Sequence, residues 1–135
     1  SAIFYFMQIV VPYDILPIGK GSGGEVFSIS AEHRPTAMKI IPLYKDNGKK
    51  SSAFQESIKI NKSIHQTQEK LYVIKFTNYS TTETHGQIFM PKYDCDLSTF
   101  AGLETPQGGL NETRAKKIFF KICLGVKSVH DAGVA

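Results

Sequence analysis

Glycines cluster near the start of the chain in a pattern suited to phosphate binding. Residues 19–26 read G-x-G-x-x-G-x-V, and glycines that lack a Cβ let backbone N–H groups approach phosphate oxygens closely. A Walker loop requires lysine directly after its last glycine, where this chain has Glu25. The pattern therefore predicts a phosphate-binding turn of another kind. A glycine turn without any ligand is the alternative that this segment alone leaves open.

The residues after the glycines distinguish a hairpin from a dinucleotide-binding turn. A dinucleotide-binding fold requires the glycine segment to open a helix. Here Phe27, Ile29 and Ala31 alternate with other residues, which is typical of a strand. We therefore expect the glycine segment to close a β-hairpin.

Turn signals divide the rest of the chain into short elements. Alternating or β-rich runs predict several strands, and helical periodicity predicts one helix over residues 51–66 and a second that begins after a cap at Asn111, with Gly133 as its stop signal. Hairpin connections predict an antiparallel sheet of five strands in an α+β fold. The runs expected to form strands are Tyr13–Ile18, Glu25–Ala31, Ala37–Leu43, Tyr72–Tyr79 and Gln87–Tyr93.

The opening stretch Ala2–Val11 is strongly apolar and could be taken for a targeting segment. No basic residues precede it in this sequence, and no small-residue cleavage site follows it. It is also too short to span a bilayer. Because it is rich in β-forming residues, we interpret it as a buried strand.

Composition narrows the possible partners. The chain has 16 basic and 12 acidic residues, a net charge of +4. This charge suits an acidic ligand such as phosphate and is too small to predict a nucleic-acid binder. We expect no membrane partner either. Cys95 and Cys123 lie far apart without secretory features, so we expect reduced thiols in an intracellular, cytoplasmic protein. The histidines show no metal-ligand spacing with either cysteine, and no metal site is expected.

Three further segments resemble the eukaryotic-type protein kinase family. Residues 37–40, Ala-Met-Lys-Ile, are similar to the V-A-I-K motif of the third kinase strand. Residues 87–97 resemble the fifth strand, gatekeeper and hinge, and residues 110–135 resemble the first long helix of the second lobe. The resemblance implies a kinase-like ATP-binding N-lobe with one αC-like helix at residues 1–93. It implies the beginning of a helical C-lobe at residues 94–135.

The resemblance assigns roles to two charged residues. It implies that Lys39 contacts the α- and β-phosphates of ATP and that Glu56 holds the lysine in place. Glu56 lies on the helix face that it shares with Ile60, whereas Glu69 falls beyond the predicted helix. We therefore predict Lys39 and Glu56 as the catalytic pair. An exposed lysine and an exposed glutamate without any relation are the alternative.

The resemblance also implies an adenine and ribose site. Met90 corresponds to the gatekeeper, and Pro91 and Tyr93 can offer backbone groups to adenine, although Pro91 has no amide hydrogen. Asp96 would contact the ribose. The complete predicted nucleotide site consists of Ile18, Gly19, Lys20, Gly21, Ser22, Gly23, Gly24, Val26, Ala37, Lys39, Met90, Pro91, Tyr93, Asp96 and Leu97.

The family's catalytic motifs do not occur in this sequence. His-Arg-Asp would supply the base, and a later Asn and Asp-Phe-Gly would hold Mg²⁺. We therefore expect ATP or ADP binding without phosphoryl transfer by this chain alone. Two interpretations stay open, an N-terminal portion of a serine/threonine kinase and a naturally truncated regulatory or pseudokinase module. A β-rich interaction domain would leave the joint match of the motifs unexplained.

The last predicted helix carries an apolar stripe without an evident partner in the sequence. The stripe repeats at helical spacing between residues 111 and 131. An exposed stripe of this kind predicts a protein partner or self-association through that helix face. Its members are Ile118, Phe119, Ile122, Val126 and Val129.

Overall fold

A computed structural model describes residues 15–21, 23–30, 35–104 and 110–134 of the chain. The predicted strand at Ala2–Val11 lies outside these residues, as do Ser22 and the start of the strand predicted from Tyr13. The chain forms two compact units. The first contains the described residues up to Lys62 together with Lys75–Lys92, and the second contains Ser63–Ile74 together with the described residues from Tyr93 onward.

The first unit is built on an antiparallel sheet. Its strand order is β1-β2-β3-β5-β4, so β3 lies at the centre. This arrangement confirms the prediction of a five-stranded antiparallel sheet in an α+β fold. The strands are β1 (Ile15–Gly21), β2 (Gly24–Ser30), β3 (Pro35–Pro42), β4 (Asn78–Thr81) and β5 (His85–Pro91).

The strand predicted over residues 72–79 is wrong for most of its length, since β4 begins only at Asn78. Side chains that the strand pattern does not reveal bind the backbone before it. The Phe76 N–H donates to Asn61 Oδ1 at 2.9 Å, and His65 Nε2 lies 3.2 Å from the Ile74 carbonyl oxygen. These groups satisfy backbone polar atoms that a strand ladder would otherwise use.

Helix α1 (Ala53–Ile64) covers one face of the sheet. Its start is fixed by Ser51, whose Oγ accepts from the Ala53 N–H at 3.3 Å. Phe54 packs with Ile41 and Ile88 in a buried cluster. Gly86 of β5 makes this approach possible, because a Cβ at that position would overlap the Phe54 ring.

The second unit contains α2 (Leu97–Glu104) and α3 (Glu112–Asp131). The predicted cap is confirmed, since the Asn111 side chain accepts from the Arg114 N–H at 2.8 Å. The predicted stop is confirmed as well, because Gly133 has a φ of +81° directly after the helix. Helix α3 packs closely on the segment Ser63–Ile74, since a Cβ on Gly125 would lie 2.6 Å from the Tyr72 carbonyl oxygen.

One boundary between the compact units lies one residue before the domain boundary predicted from the sequence. The chain passes from the first unit to the second between Lys92 and Tyr93, but Ser63–Ile74 also belongs to the second unit. The assignment of residues 1–93 and 94–135 as an N-lobe and the start of a C-lobe stays a prediction.

Replacing Gly86 with alanine is expected to destabilise the first unit by about 1–3 kcal/mol, because the new Cβ overlaps the Phe54 ring in a packed core. Urea unfolding followed by circular dichroism measures the change. Gly102→Ala is the matched control, since no atom lies within 4 Å of its added Cβ. This control, inside α2, should leave the stability unchanged or raise it by about 0.5–1 kcal/mol. Equal unfolding curves for Gly86→Ala and the unaltered chain would contradict this packing.

Candidate functional site

The glycine hairpin, residues 19–26, joins β1 to β2. Lys20 pairs with Glu25 and Gly21 with Gly24 in its register. Gly24 has a φ of +142°, and a Cβ there would overlap the carbonyl oxygen of Ile40 on β3. Only glycine fits this position, because both the backbone conformation and the close approach exclude a side chain. The segment lies in a hairpin, as its strand alternation predicts.

Two glycines of this hairpin lie open to solvent. A Cβ on Gly19 or on Gly21 would meet no atom within 4 Å, and both residues are exposed. Their role is therefore not to allow close packing inside the protein. The free space fits an external group that approaches the backbone, such as the phosphate oxygens predicted from the sequence.

Lys39 brings a positive charge to the turn of the hairpin. On β3 it pairs with Val26 of β2 and with Ile88 of β5. Its Nζ lies 3.3 Å from the position of a Cβ built on Gly23. The ammonium group therefore lies against the glycine turn. This arrangement suits an anion that contacts both the exposed backbone and the lysine.

Glu56 is not brought to Lys39 in this structure. Its carboxylate accepts a hydrogen bond from Ser52 Oγ at 3.1 Å and is exposed. Among the described residues, no ion pair joins Lys39 to Glu56. The helix packs on the sheet through Phe54 and Ile58 instead.

Helix geometry explains this separation. At about 100° per residue, Glu56 lies about 200° around the axis from Phe54, which contacts the sheet. Ile60, on the same side as Glu56, is 40% exposed. The shared face of Glu56 and Ile60, expected to point toward the lysine, is thus the outward face. Sequence reasoning also missed Ser52 as the partner of Glu56, although their spacing of four residues is a detectable signal.

The remaining predicted residues of the first unit line the same side of the sheet or its rim. Ala37 is buried, with 5% of its surface exposed, and shares the face of Lys39 because residues alternate along a strand. Met90 packs partly buried against the Ile41 and Ile88 cluster. Ile18, at a register shift in β1, is 50% exposed. Ala37 and Met90 thus add small and apolar groups to the face of the sheet on which Lys39 lies.

Lys20 and Pro91 lie at the surface. Lys20 Nζ is 3.9 Å from Glu25 Oε1, with both side chains well exposed. An exposed pair at this distance contributes little to stability, so the lysine is available to a ligand. Pro91 pairs with Thr36 at the end of β5 and is exposed.

The predicted residues of the second unit begin with Tyr93, which is 60% exposed. Asp96 is the residue before α2, and its Oδ1 accepts from the Thr99 N–H at 2.7 Å. This backbone hydrogen bond holds the pKa of the Asp96 carboxyl below its usual value of 3.8. Asp96 therefore acts as a helix cap, a role that sequence reasoning missed although Asp followed by a helix is a known cap signal. Leu97 is the first residue of α2 and is half exposed.

The part of the chain that the structure describes holds no group of three or more side chains able to bind a metal ion. Cys95 and Cys123 are free and exposed. Within the described ranges, no helix has the length and apolar character needed to cross a bilayer.

Comparison with known families gives one match. The family described as "Protein kinase domain" matches residues 14–135 of the chain. No curated protein matches the chain significantly. The family match covers the sheet, the glycine hairpin, Lys39 and all three helices, and it confirms the resemblance found in the sequence.

The cap role of Asp96 makes the stability of α2 depend on pH. Because the carboxyl pKa is lowered in the folded state, its stabilising effect is complete above the usual value of 3.8 and is lost as the pH falls through the folded pKa. Asp96→Asn keeps a neutral cap, so its stability should lack this dependence. The difference in unfolding free energy between the two chains should therefore shrink as the pH is lowered from 6 toward about 3. A difference that stays constant would contradict the cap role.

Proposed function

Because the chain belongs to the protein kinase domain family, we propose that it is the ATP-binding N-terminal portion of a protein serine/threonine kinase. The observation that carries the proposal is the position of Lys39 Nζ against Gly23, in a hairpin in which Gly19 and Gly21 are open to solvent. A cation beside an exposed glycine backbone is a combination suited to phosphate. The complete domain would transfer a phosphoryl group from ATP to a protein hydroxyl.

Residues of this chain can bind the phosphates, the adenine and the ribose of the nucleotide. In this proposal, the backbone N–H groups of the glycine hairpin bind phosphate oxygens and Lys39 neutralises their charge. Ala37 leaves room for a flat ring because its side chain is small. Backbone groups of Pro91 and Tyr93 would bind adenine, and the Asp96 carboxylate would accept a hydrogen bond from a ribose hydroxyl. ATP supplies the phosphoryl group when it is bound.

A Mg²⁺ site is not supported by the described residues in the way that a nucleotide site is. The described residues offer no cluster of metal-binding side chains, and this sequence has no Asp-Phe-Gly. We therefore propose nucleotide binding by this chain and assign no step to a metal. Without the family's His-Arg-Asp base, phosphoryl transfer by this chain alone is not expected. We also propose an intracellular location, where ATP is abundant and both free thiols would stay reduced.

The pairing of Lys39 with Glu56 remains part of the proposal. Pairing requires α1 to turn about its axis, since Glu56 now faces outward with Ser52. Such a turn would move Phe54 away from Gly86, where it is buried. The packing of Phe54 therefore opposes the pairing, and bound nucleotide would have to favour it by an interaction that only the turned helix makes.

Millimolar ADP or ATP is expected to raise the melting temperature of the chain, because a ligand that binds only the folded state stabilises it by mass action. At about 100 times the dissociation constant, this stabilisation is about 2.7 kcal/mol. Lys39→Met should reduce the shift strongly. Lys59→Met, which removes the same charge from the exposed surface of α1, should leave it intact.

Gly21→Ala separates ligand contacts from folding in the same assay. Since no atom lies within 4 Å of the added Cβ, the melting temperature without nucleotide should hardly change. The shift with nucleotide should fall, because the methyl group occupies the space open to the phosphates. Absence of any nucleotide shift in the unaltered chain would refute the proposed binding.

A second candidate function, a regulatory module that binds another protein without catalysis, is favoured by the surface of α3. Phe119 and Phe120 are 66% and 63% exposed on this helix. Beside them lies an almost entirely apolar groove of about 470 Å³. Exposed apolar surface of this kind is typical of a protein interface. The two candidates differ on whether the coding sequence continues from residue 135 into His-Arg-Asp.

Self-association through the 111–131 helix face is the form of this candidate that can be tested without knowing a partner. Light scattering at micromolar concentration should show a mass above that of the monomer of 15.0 kDa. Phe119→Ser should shift the population toward monomer, because it removes an exposed aromatic from the face. Lys117→Ser, on the same helix, is the control. A monodisperse monomer at these concentrations would count against self-association.

A further inference from the structure

His65 makes two hydrogen bonds to the backbone of the connecting segment, residues 65–74, which follows α1 in the chain. Its Nδ1 accepts from the Lys70 backbone N–H at 3.1 Å. Its Nε2 lies 3.2 Å from the Ile74 carbonyl oxygen. The imidazole ring thus joins the middle of the segment to its end. We call these two hydrogen bonds the His65 bridge.

The His65 bridge can form with only one state of the imidazole ring. A backbone N–H can only donate, and a carbonyl oxygen can only accept. The Lys70 N–H therefore requires a lone pair on Nδ1, and the Ile74 carbonyl oxygen requires a hydrogen on Nε2. The neutral ring with its hydrogen on Nε2 meets both requirements. A protonated ring also carries a hydrogen on Nδ1, which would face the Lys70 N–H and break that bond.

The residues enclosed by the bridge pack against α3. A Cβ on Gly125 of this helix would lie 2.6 Å from the Tyr72 carbonyl oxygen and 3.5 Å from the Tyr72 Cβ, so the segment and the helix are in close contact. Residues 71–74 also line an apolar groove of about 400 Å³ together with Ile118 and Ile122 of α3. The conformation of the segment therefore sets the shape of this groove.

We propose that the His65 bridge is a pH-sensitive switch that holds residues 71–73 against α3 and releases them when the ring is protonated. Lys70 and Ile74, whose backbone groups bind the ring, lie directly on either side of these residues. Loss of the Lys70 bond therefore frees one end of this short stretch. A histidine ordinarily changes its charge between about pH 5 and 8, so the stretch is held at the upper end of this range and is released as the pH falls.

The switch is separate from nucleotide binding, because the ring, the segment and α3 all belong to the second unit, whereas Lys39 and the glycine hairpin belong to the first. A failure of either proposal therefore leaves the other standing. The nucleotide proposal is tested by a ligand-dependent shift, and the switch is tested without any ligand.

Other charged groups near the segment were considered as the source of a pH response. A hydrogen bond from Lys127 is the main cause that holds the pKa of the Asp131 carboxyl below its usual value of 3.8, and the charges of Lys70 and His130 act in the same direction. Asp131 thus stays ionised between about pH 5 and 8. Of the residue types present, only histidine ordinarily changes charge in this range, so His130 is the group to control for. The charged and titratable groups of the elements that meet here are Lys62 before the segment, Glu69, Lys70 and Tyr72 within it, Lys75 after it, Tyr93 and Cys95 in the groove, and Lys121, Lys127, His130 and Asp131 on α3.

Nuclear magnetic resonance of the uniformly ¹⁵N-labelled full chain tests the bridge directly. At about pH 8, the Lys70 amide nitrogen should show a scalar coupling to His65 Nδ1, transmitted through the hydrogen bond that joins them. The Nε2 of His65 should carry the hydrogen. At about pH 5 the coupling should disappear, because the protonated Nδ1 has no lone pair to accept with. Absence of the coupling at the higher pH would overturn the proposal.

Hydrogen exchange measures the release of the segment. After correction for the intrinsic pH dependence of exchange, protection of the Lys70 amide should fall about two- to tenfold between the two pH values, the factor that corresponds to one hydrogen bond. The nuclear Overhauser effect between Tyr72 and Gly125 protons should weaken with it. His65→Phe, which keeps an aromatic ring without ring nitrogens, should show the lower protection at both pH values.

His130→Gln is the matched control, because it removes the other histidine of this unit, exposed on α3, and leaves the bridge in place. The fall in Lys70 protection should persist in this variant. If His65→Phe does not fold, the coupling and the exchange in the unaltered chain decide. Lys70 protection that is equal at both pH values, a fall that His130→Gln abolishes, or a Tyr72–Gly125 effect that stays constant would each overturn the switch.

Discussion

The pairing of β3 with both of its neighbours is the constraint on which the rest of the first unit depends. As the central strand, β3 is hydrogen-bonded to β2 on one side and to β5 on the other. A shift of one residue in this register would move Lys39 to the side of the sheet away from α1 and Met38 to the side of α1. The same register places the Ile40 carbonyl oxygen against Gly24, so the position of the glycine hairpin and the direction of the lysine are set together.

Much of this arrangement could be predicted because its signals are local. Glycine spacing, strand alternation and caps each act within a few residues, and they predicted the hairpin, the sheet and the ends of α3. The strand expected over residues 72–79 could not be corrected from its own pattern. Asn61, which binds the Phe76 N–H, is distant in sequence, and a tertiary contact of this kind leaves no trace in local periodicity.

The orientation of α1 about its own axis, which decides which of its side chains face the sheet, is a second feature that the sequence did not predict. Phe54 and Ile58 share one side of the helix, and Ile60 lies about 120° around the axis from Phe54. Helical periodicity alone does not decide which of these residues meets the sheet. The choice depends on Gly86 of β5, whose missing Cβ admits the Phe54 ring. Since a glycine in a strand usually only weakens it, this packing role is visible only once the helix and the strand are placed together.

The orientation of α1 also decides which charged groups lie near the Lys39 ammonium. With Glu56 turned outward, the ammonium lies beside the glycine turn without a described carboxylate within ion-pair distance. An anion that reached both the lysine and the open backbone of Gly21 would supply an opposite charge that the described residues do not place there. The packing of one phenylalanine on one glycine thus bears on the charge around Lys39, because it holds Glu56 on the outward side of α1.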